Sequence, residues 1–530
     1  MTFGTHDQLV LVALLLSLAA LLVAAPVLRV PYPIFLVLGG LALGFVPGVP
    51  ALQLPPDVVL VAVLPPLLYA SAFFTSLRDL RANVREISVL AVGLVLATTV
   101  SVAVLAHAVI DGLPWSAAFV LGAVVAPTDP IAATAIMRRL GVPRRIVTIV
   151  ESESLVNDGT ALVLYRVAVA AAVSGTFSFW DASWRFLWSV GGGAGIGLVA
   201  GYLIAAVRRR LDNPPVEVTI ALMTGYLVFI PANAAGASGV LAVVTAGVYL
   251  GWHTPELTSV QTRLQGLAVW EILVFVLNAL LFALVGLQLS RILDTLTGRS
   301  AAELAGYGVL VTATVILMRL VWVPVFLYLP KRMWRHLRER ATPARFSYPL
   351  LTSWSGMRGA VSLAAALAIP LTTDAGRPFP ERDLIVFLTF CVILGTLVLQ
   401  GLSLPLVIRA LGIEPDHTEE TENAKARIHA AEAALARLDE LLDEDWVGEQ
   451  TAERLRGLYG FRRDRFASRF DSEGDGAIET QSQNYQRLRR ELLDAERAAV
   501  VALGREGMIS GDIVNRIRRD LDLEDARLDV

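Results

Sequence analysis

The chain has 530 residues, of which 55% are hydrophobic and 18% charged, whereas soluble globular chains carry about 25% charged residues. Its formal net charge of −3 hides an uneven division: residues 414–530 hold 18 Lys/Arg and 28 Asp/Glu, leaving 27 and 20 for the rest. Together with a mean hydropathy of +0.60, this excludes a soluble enzyme, a disordered chain and a disulfide-stapled secreted domain. Cys391 is the single cysteine, so neither an intrachain disulfide nor a thiolate metal cluster can form. The composition describes a polytopic membrane region, residues 8–411, and an acidic soluble tail, residues 414–530.

The first apolar run, Leu9 to Leu28, has the length of a signal peptide. Met1 to Asp7 carries no positive charge, however, and a second apolar run follows at once, so the first reads as a retained transmembrane helix. Stretches able to cross roughly 30 Å of hydrocarbon recur about thirteen times, centred near residues 18, 39, 65, 98, 126, 160, 196, 223, 243, 280, 316, 360 and 396. With the N-terminus outside, 19 basic residues fall on the inner side, among them Arg29, Arg138, Arg139, Arg144, Arg145 and the cluster from Lys331 to Arg345. Five fall outside: Arg185, Arg291, Arg299, Arg377 and Arg382. That asymmetry satisfies the positive-inside rule and puts the C-terminus in the cytoplasm of a multi-pass plasma-membrane protein. The expected fold class is an all-α polytopic membrane protein with about thirteen transmembrane helices, inverted repeats and two broken helices, plus a C-terminal helical cytoplasmic tail.

Thirteen spans accommodate two six-helix units of opposite orientation around one odd helix, and in that scheme the fifth and twelfth spans correspond. Both carry helix breakers. The fifth reads APTDP at 126–130, with Pro127 and Pro130; the twelfth reads SGMRGA at 355–360, with Gly356 and Gly359. Paired broken segments point to a substrate site near the bilayer midplane.

An ionisable group inside a span costs about 2.5–3.5 kcal/mol on insertion scales and so asks for a partner or a task. The fifth span holds Asp129; the sixth holds Glu151, Glu153 and Asp158 in ESESLVNDGTALVLY; the tenth holds Glu271 and Asn278; the cations are Arg166, Arg319 and Arg358. Asp158 and Asn157 lie deep in apolar sequence, and Ser154 shares the face of Asp158 at i, i+4. A carboxylate, an amide oxygen and a hydroxyl are hard ligands for a Na⁺-like cation. A carboxylate withdrawn from water can hold a proton or a cation but not comfortably both, and that competition is the simplest chemistry of exchange. Glu151, close to the Arg144/Arg145 loop, reads as a helix-end ion. Arg358 needs an anion, and Glu153 is the candidate for a structural pair.

APTDPIAATAI, ESESLVNDGTALVLY, SGMRGAVSLAAALAIP and ILGTLVLQGLSLP, in that order, resemble the bacterial monovalent cation:proton antiporters related to animal sodium/proton exchangers. The resemblance implies an elevator-like transporter in which a core domain moves against a dimerisation domain, hence a homodimer. It implies that Asp158, with Asn157 beside it, carries the cation or proton. Thr128 and Asp129 become the polar pair of the broken helix, so that Asp158, Ser154 and Thr128 form the Na⁺ site, and Glu153 becomes the partner of Arg358. No cofactor is implied, Na⁺ and H⁺ being the transported substrates. One departure stands out: many relatives have an acid just after the PPLLY stretch, where this chain has Ala70 and Ser71.

Other motifs read as structural. GGGAGIG at 191–197 lies mid-span after no strand, and Gly193, Gly197 and Gly201 space as a GxxxG helix-packing stripe. DSEGDG at 471–476 begins like a calcium loop, but its twelfth position is Ser482 rather than glutamate. The six histidines have no metal spacing. The tail has helical periodicity and a charge that opposes nucleic acid and anionic lipid alike. The expected function is exchange of a monovalent cation, Na⁺ foremost, for H⁺ in pH and sodium homeostasis. It is expected to be electroneutral, because the carrier position has one carboxylate beside the neutral Asn157. The alternatives are K⁺(Rb⁺)/H⁺ antiport on the same fold and a membrane pH sensor signalling through the tail; an intramembrane hydrolase lacks a placed nucleophile and base.

Overall fold

Prolines, glycines and capping side chains divide the apolar sequence into helices. The structure, a computed structural model, describes residues 5–28, 31–46, 59–175, 179–296, 299–328, 347–413, 418–442, 444–467 and 477–526. Arg29, the basic cluster 331–345, the tail boundary at 414, His417 and the 471–476 segment lie outside the described residues.

The membrane region contains α1 (Thr5–Val27), α2 (Tyr32–Gly44), α3 (Leu64–Phe73), α4 (Val95–Val109), α5 (Trp115–Val125), α6 (Ile131–Arg139), α7 (Arg144–Ser174) and α8 (Phe179–Arg208). It continues with α9 (Pro214–Ala234), α10 (Gly239–Leu257), α11 (Val260–Thr295), α12 (Ala301–Val323), α13 (Ser347–Trp354), α14 (Ala360–Leu367), α15 (Arg382–Gly395) and α16 (Gly401–Ala410). Among the described residues there is no strand, only one isolated bridge between Thr372 and Pro378. Asn213, Ser238, Ser259 and Ser300 each accept the backbone N–H three residues on, which sets the starts of α9 to α12. Single-turn π-helices precede α3 and α4, follow α12 and join α15 to α16.

Among the described residues, seven helical stretches are each long and apolar enough to cross a membrane: Val84–Val109, Arg144–Ser174, Ser183–Arg208, Pro214–Ala234, Val260–Leu289, Ala301–Leu327 and Arg382–Ala410. Shorter apolar helices include Tyr32–Gly44, Val61–Phe73 and Trp115–Val125. Two interruptions are where the proline and glycine pattern puts them, at 126–130 between α5 and α6 and at 355–359 between α13 and α14. Pro127 and Pro130 cannot donate to a helical ladder, and each disfavours helical backbone in the residue before it.

Close packing depends on glycine at a few crossings. A Cβ at Gly40 of α2 would overlap the Ala283 carbonyl of α11, and one at Gly286 of α11 would overlap the Val37 carbonyl of α2. Gly193 and Gly197 bring α8 against the Ser238 and Ala242 carbonyls of α10, so the GxxxG stripe is a packing device. Helix α7 lies between two apolar clusters. Ile146, Val147 and Tyr165 pack with α5, α6 and α15, while Leu155 packs with α3, α9 and α10. The polar residues of α7 are therefore at the seam between two bodies of packed helices.

Residues Asp416–Val530 form a separate compact unit, with helices α17 (Thr418–Leu441), α18 (Glu449–Ala467), α19 (Ala477–Arg505) and α20 (Gly511–Ala526). Leu493 and Leu521 are buried between α19 and α20, and Arg489 pairs with Glu524 while Arg497 meets Asp525 at 2.8 Å and Asp522 at 3.1 Å.

Candidate ion-binding site

The two breaks cross and complete each other's backbone bonding. Asp129 N–H donates to the Met357 carbonyl at 2.8 Å, and the Asp129 carboxylate accepts the Ile131 N–H at 3.0 Å, capping the start of α6. The approach is so close that a Cβ at Gly359 would overlap the Asp129 carboxylate. Arg358 N–H donates to Thr396 Oγ1 at 3.1 Å. Its fully buried guanidinium donates to the carbonyls of Val125 (3.1 Å), Ala126 (3.5 Å) and Gly356. The first two are carbonyls left over at the end of α5, and a cation is electrostatically favoured there.

Thr128, in the first break, links the break to α7. Its hydroxyl accepts the Asn157 Nδ2–H at 2.7 Å and makes a longer contact, 3.4 Å, to Glu153 Oε1. Its carbonyl accepts the Ser154 hydroxyl at 2.7 Å. Asn157 is fully buried with Oδ1 unpartnered. Asp158 is buried as well, and no described residue donates a hydrogen bond to its carboxylate. Thr128, Ser154, Asn157 and Asp158 thus bring hydroxyl, carbonyl, amide and carboxylate oxygens together around the end of a broken helix. Asp129 lies at the same break, half-buried and engaged with α6.

The expected pair between Glu153 and Arg358 is corrected. Glu153 is bound by Arg319 of α12, whose two terminal nitrogens engage both carboxylate oxygens, Nη2 at 2.7 Å. Arg319 also donates through Nε and Nη2 to the Thr352 carbonyl, at 3.2 and 3.0 Å. Both side chains are about 1% exposed, and such fork-to-carboxylate geometry suits arginine. Arg358 was free for Glu153 only as long as the carbonyl ends of α5 were left out of account. Sequence reasoning noted Arg319 as an intramembrane cation without a partner; no spacing along the chain links it to α7.

The remaining ions are peripheral. Glu151 pairs with Arg138 at 2.7 Å rather than with Arg144 or Arg145. Arg166 binds the Ala237 carbonyl and Asn233 Oδ1, tying α7 to the turn before α10. Glu271 is exposed on α11, and Asn278 is buried one to two turns further on. Ala70, just after the PPLLY stretch, is buried in an apolar cluster with other residues of α3. Among the described residues no group of three or more His, Cys, Asp or Glu side chains could hold a metal ion.

The sequence profile described as sodium/hydrogen exchanger, transmembrane, matches residues 11–410. The chain is 36% identical over 535 residues to an uncharacterized Na(+)/H(+) exchanger of Mycobacterium tuberculosis (strain ATCC 25618 / H37Rv), covering 99% of this chain and 98% of the other. It is 30% identical over 459 residues to the low-affinity Na(+)/H(+) antiporter NhaS1 of Synechocystis, covering 86% and 84%. A sodium, potassium, lithium and rubidium/H(+) antiporter of Bacillus subtilis is 35% identical over 389 residues, covering 71% of this chain and 58% of the other. In fold it is similar to the sodium proton antiporter MjNhaP1 from Methanocaldococcus jannaschii, with a TM-score of 0.63 at 20% identity, over 77% of this chain and 99% of that one. The profile match and the full-length identity together lead to one conclusion: the chain belongs to the sodium/hydrogen exchanger family.

Proposed function

We propose that this protein is a secondary active antiporter that exchanges one Na⁺ for one H⁺ at Asp158. Thr128, Ser154 and Asn157 supply further oxygens, and Asp129 has a supporting role. The observation that carries the reading is the contrast between the two buried acids of α7. Glu153 is paired with Arg319, and Arg358 is engaged with the carbonyls of Val125, Ala126 and Gly356. Asp158 is buried with no described residue donating to its carboxylate. A proton or a monovalent cation would neutralise it there, and occupancy by one excludes the other. Each loaded form then crosses the low-dielectric barrier with the same net charge.

Two apolar clusters that meet at α7 suit an alternating-access movement in which α5–α7 and α13–α16 slide against α3 and α8–α10. The reading includes a homodimer in the plasma membrane with the N-terminus outside and the C-terminus in the cytoplasm, an orientation supported by the distribution of basic residues. The Bacillus subtilis relative, named for sodium, potassium, lithium and rubidium, favours K⁺ as a second cation at the same site.

The test is reconstitution into liposomes with an internal pH dye, adding Na⁺, Li⁺ and K⁺ separately. Cation-dependent recovery of an imposed pH gradient is expected for Na⁺ and Li⁺; a gradient unaffected by any of the three would refute the reading.

A further inference from the structure

Gln400 carries an amide that no described residue engages. It is fully buried, and neither Oε1 nor Nε2 has a hydrogen-bond partner, although buried polar side chains are nearly always paired. It closes the π-helical turn Thr396–Gln400 between α15 and α16, a type of local widening that recurs at functional positions.

Register defines its surroundings. Thr396, four residues earlier, accepts the Arg358 N–H, and Ser403, three residues later, accepts the Trp354 Nε1–H at 2.9 Å. Gln400 shares their face and lies between one bond to the break and one to the last residue of α13. A Cβ on the next residue, Gly401, would meet Ile34 of α2 and come within 3.6 Å of Met357 Sδ, so the turn is packed between α2 and the 355–359 break.

An amide at a helix break ordinarily serves the backbone groups that the break frees. Here those groups have other partners. Arg358 takes the Val125, Ala126 and Gly356 carbonyls, Asp129 N–H takes Met357, and Arg319 with Ser355 takes Thr352. The Val125, Ala126, Thr352, Gly356 and Met357 carbonyls are thus satisfied without Gln400.

We propose that Gln400 is a specificity-determining residue for the transported cation. Its Oε1 supplies a hard oxygen ligand, and its Nε2 donates to water retained by the ion, as the ion passes between the 355–359 break and Asp158. Being neutral, the amide binds and releases the ion without exchanging a proton, so the one-for-one count at Asp158 is unaltered. This assignment rests on the cation:proton antiport reading.

The experiment uses full-length protein and Gln400→Met, which keeps side-chain length and removes both polar atoms. Apparent KM and maximal rate for Na⁺ and Li⁺ are measured in proteoliposomes, Na⁺ affinity by calorimetry in detergent, and thermal stability alongside. The Met variant is expected to be at least as stable as the wild type, because an unpaired buried amide is removed. Its KM for Na⁺ is expected to rise about tenfold, with an altered ratio of Na⁺ to Li⁺. A stable variant with unchanged KM and unchanged ratio overturns the proposal. Should Gln400→Met fold poorly, Gln400→Glu decides: it keeps an oxygen at the position and should make the Na⁺ KM steeply pH-dependent, and a wild-type pH profile counts against the assignment. The two readings fail separately. A wild type that binds Na⁺ but exchanges nothing, with binding weakened in Gln400→Met, removes antiport and keeps Gln400; active exchange with an indifferent variant does the reverse.

Discussion

Glu153 and Asp158 are five residues apart on one buried helix and have opposite surroundings. Glu153 is gripped by Arg319 through both carboxylate oxygens, whereas no described residue donates to Asp158. Asp158→Asn is therefore expected to abolish Na⁺-driven proton flux while leaving thermal stability near the wild-type value, as checked by dye-monitored liposome assays and a detergent melt on the same preparation. Glu153→Gln and Arg319→Met should each be destabilising, since breaking a buried pair from one side costs about 3–5 kcal/mol in soluble proteins. The double variant should lose less than the sum of the two, and strict additivity in a double-mutant cycle would count against a direct pair. The grouping of Ser154, Asn157 and Asp158 was legible because helical periodicity gathers them on neighbouring faces of one segment. The partner of Glu153 was not. Arg319 and Arg358 are both deep in apolar spans, and only the three-dimensional position of α5's last carbonyls separates a helix-end cation from an ion-pair cation.

Among the elements, the interrupted helices were legible for a covalent reason: Pro127 and Pro130 lack N–H groups, so the interruption is written into the residues themselves. The second interruption was legible through Gly356 and Gly359, whose importance is steric. A side chain at Gly359 would overlap the Asp129 carboxylate, and one at Gly356 would overlap Arg319. Gly359→Ala is accordingly expected to lower the thermal midpoint and to cut exchange severely, with Gly356→Ala acting through the Glu153–Arg319 pair. Wild-type rates in a Gly359→Ala protein would show that the two breaks separate freely. The π-helical turns had no sequence signature; they depend on how long neighbouring helices adjust to one another, as at Thr396–Gln400.

For the whole molecule, the candidate ion-site residues all precede residue 414, and Asp416–Val530 is a compact unit of its own. A protein truncated after about residue 414 should still exchange Na⁺ for H⁺ in liposomes, and a well-folded but inactive truncation would give weight to a sensor role for the tail. One-for-one exchange at Asp158 gives a separate expectation. Exchange rates should be indifferent to a valinomycin-imposed potential, although a single moved charge would be worth about 2.3 kcal/mol per 100 mV. Steep voltage dependence would mean that Asp129 or another group carries a second proton.

The lone carboxylate proposed as carrier, Asp158 beside the neutral Asn157, also sets how far a one-for-one carrier can work. A neutral swap comes to rest when the inside-to-outside ratio of Na⁺ equals that of H⁺, whatever the electrical state of the membrane. A tenfold proton ratio can then sustain only a tenfold sodium ratio, and a cell more alkaline than its surroundings sheds sodium in strict proportion. In surroundings more alkaline than the cytoplasm the same protein runs backwards and admits sodium. An organism relying on it there needs a second, voltage-driven exporter, and this carrier acts as a leak unless its rate falls as the outside pH rises.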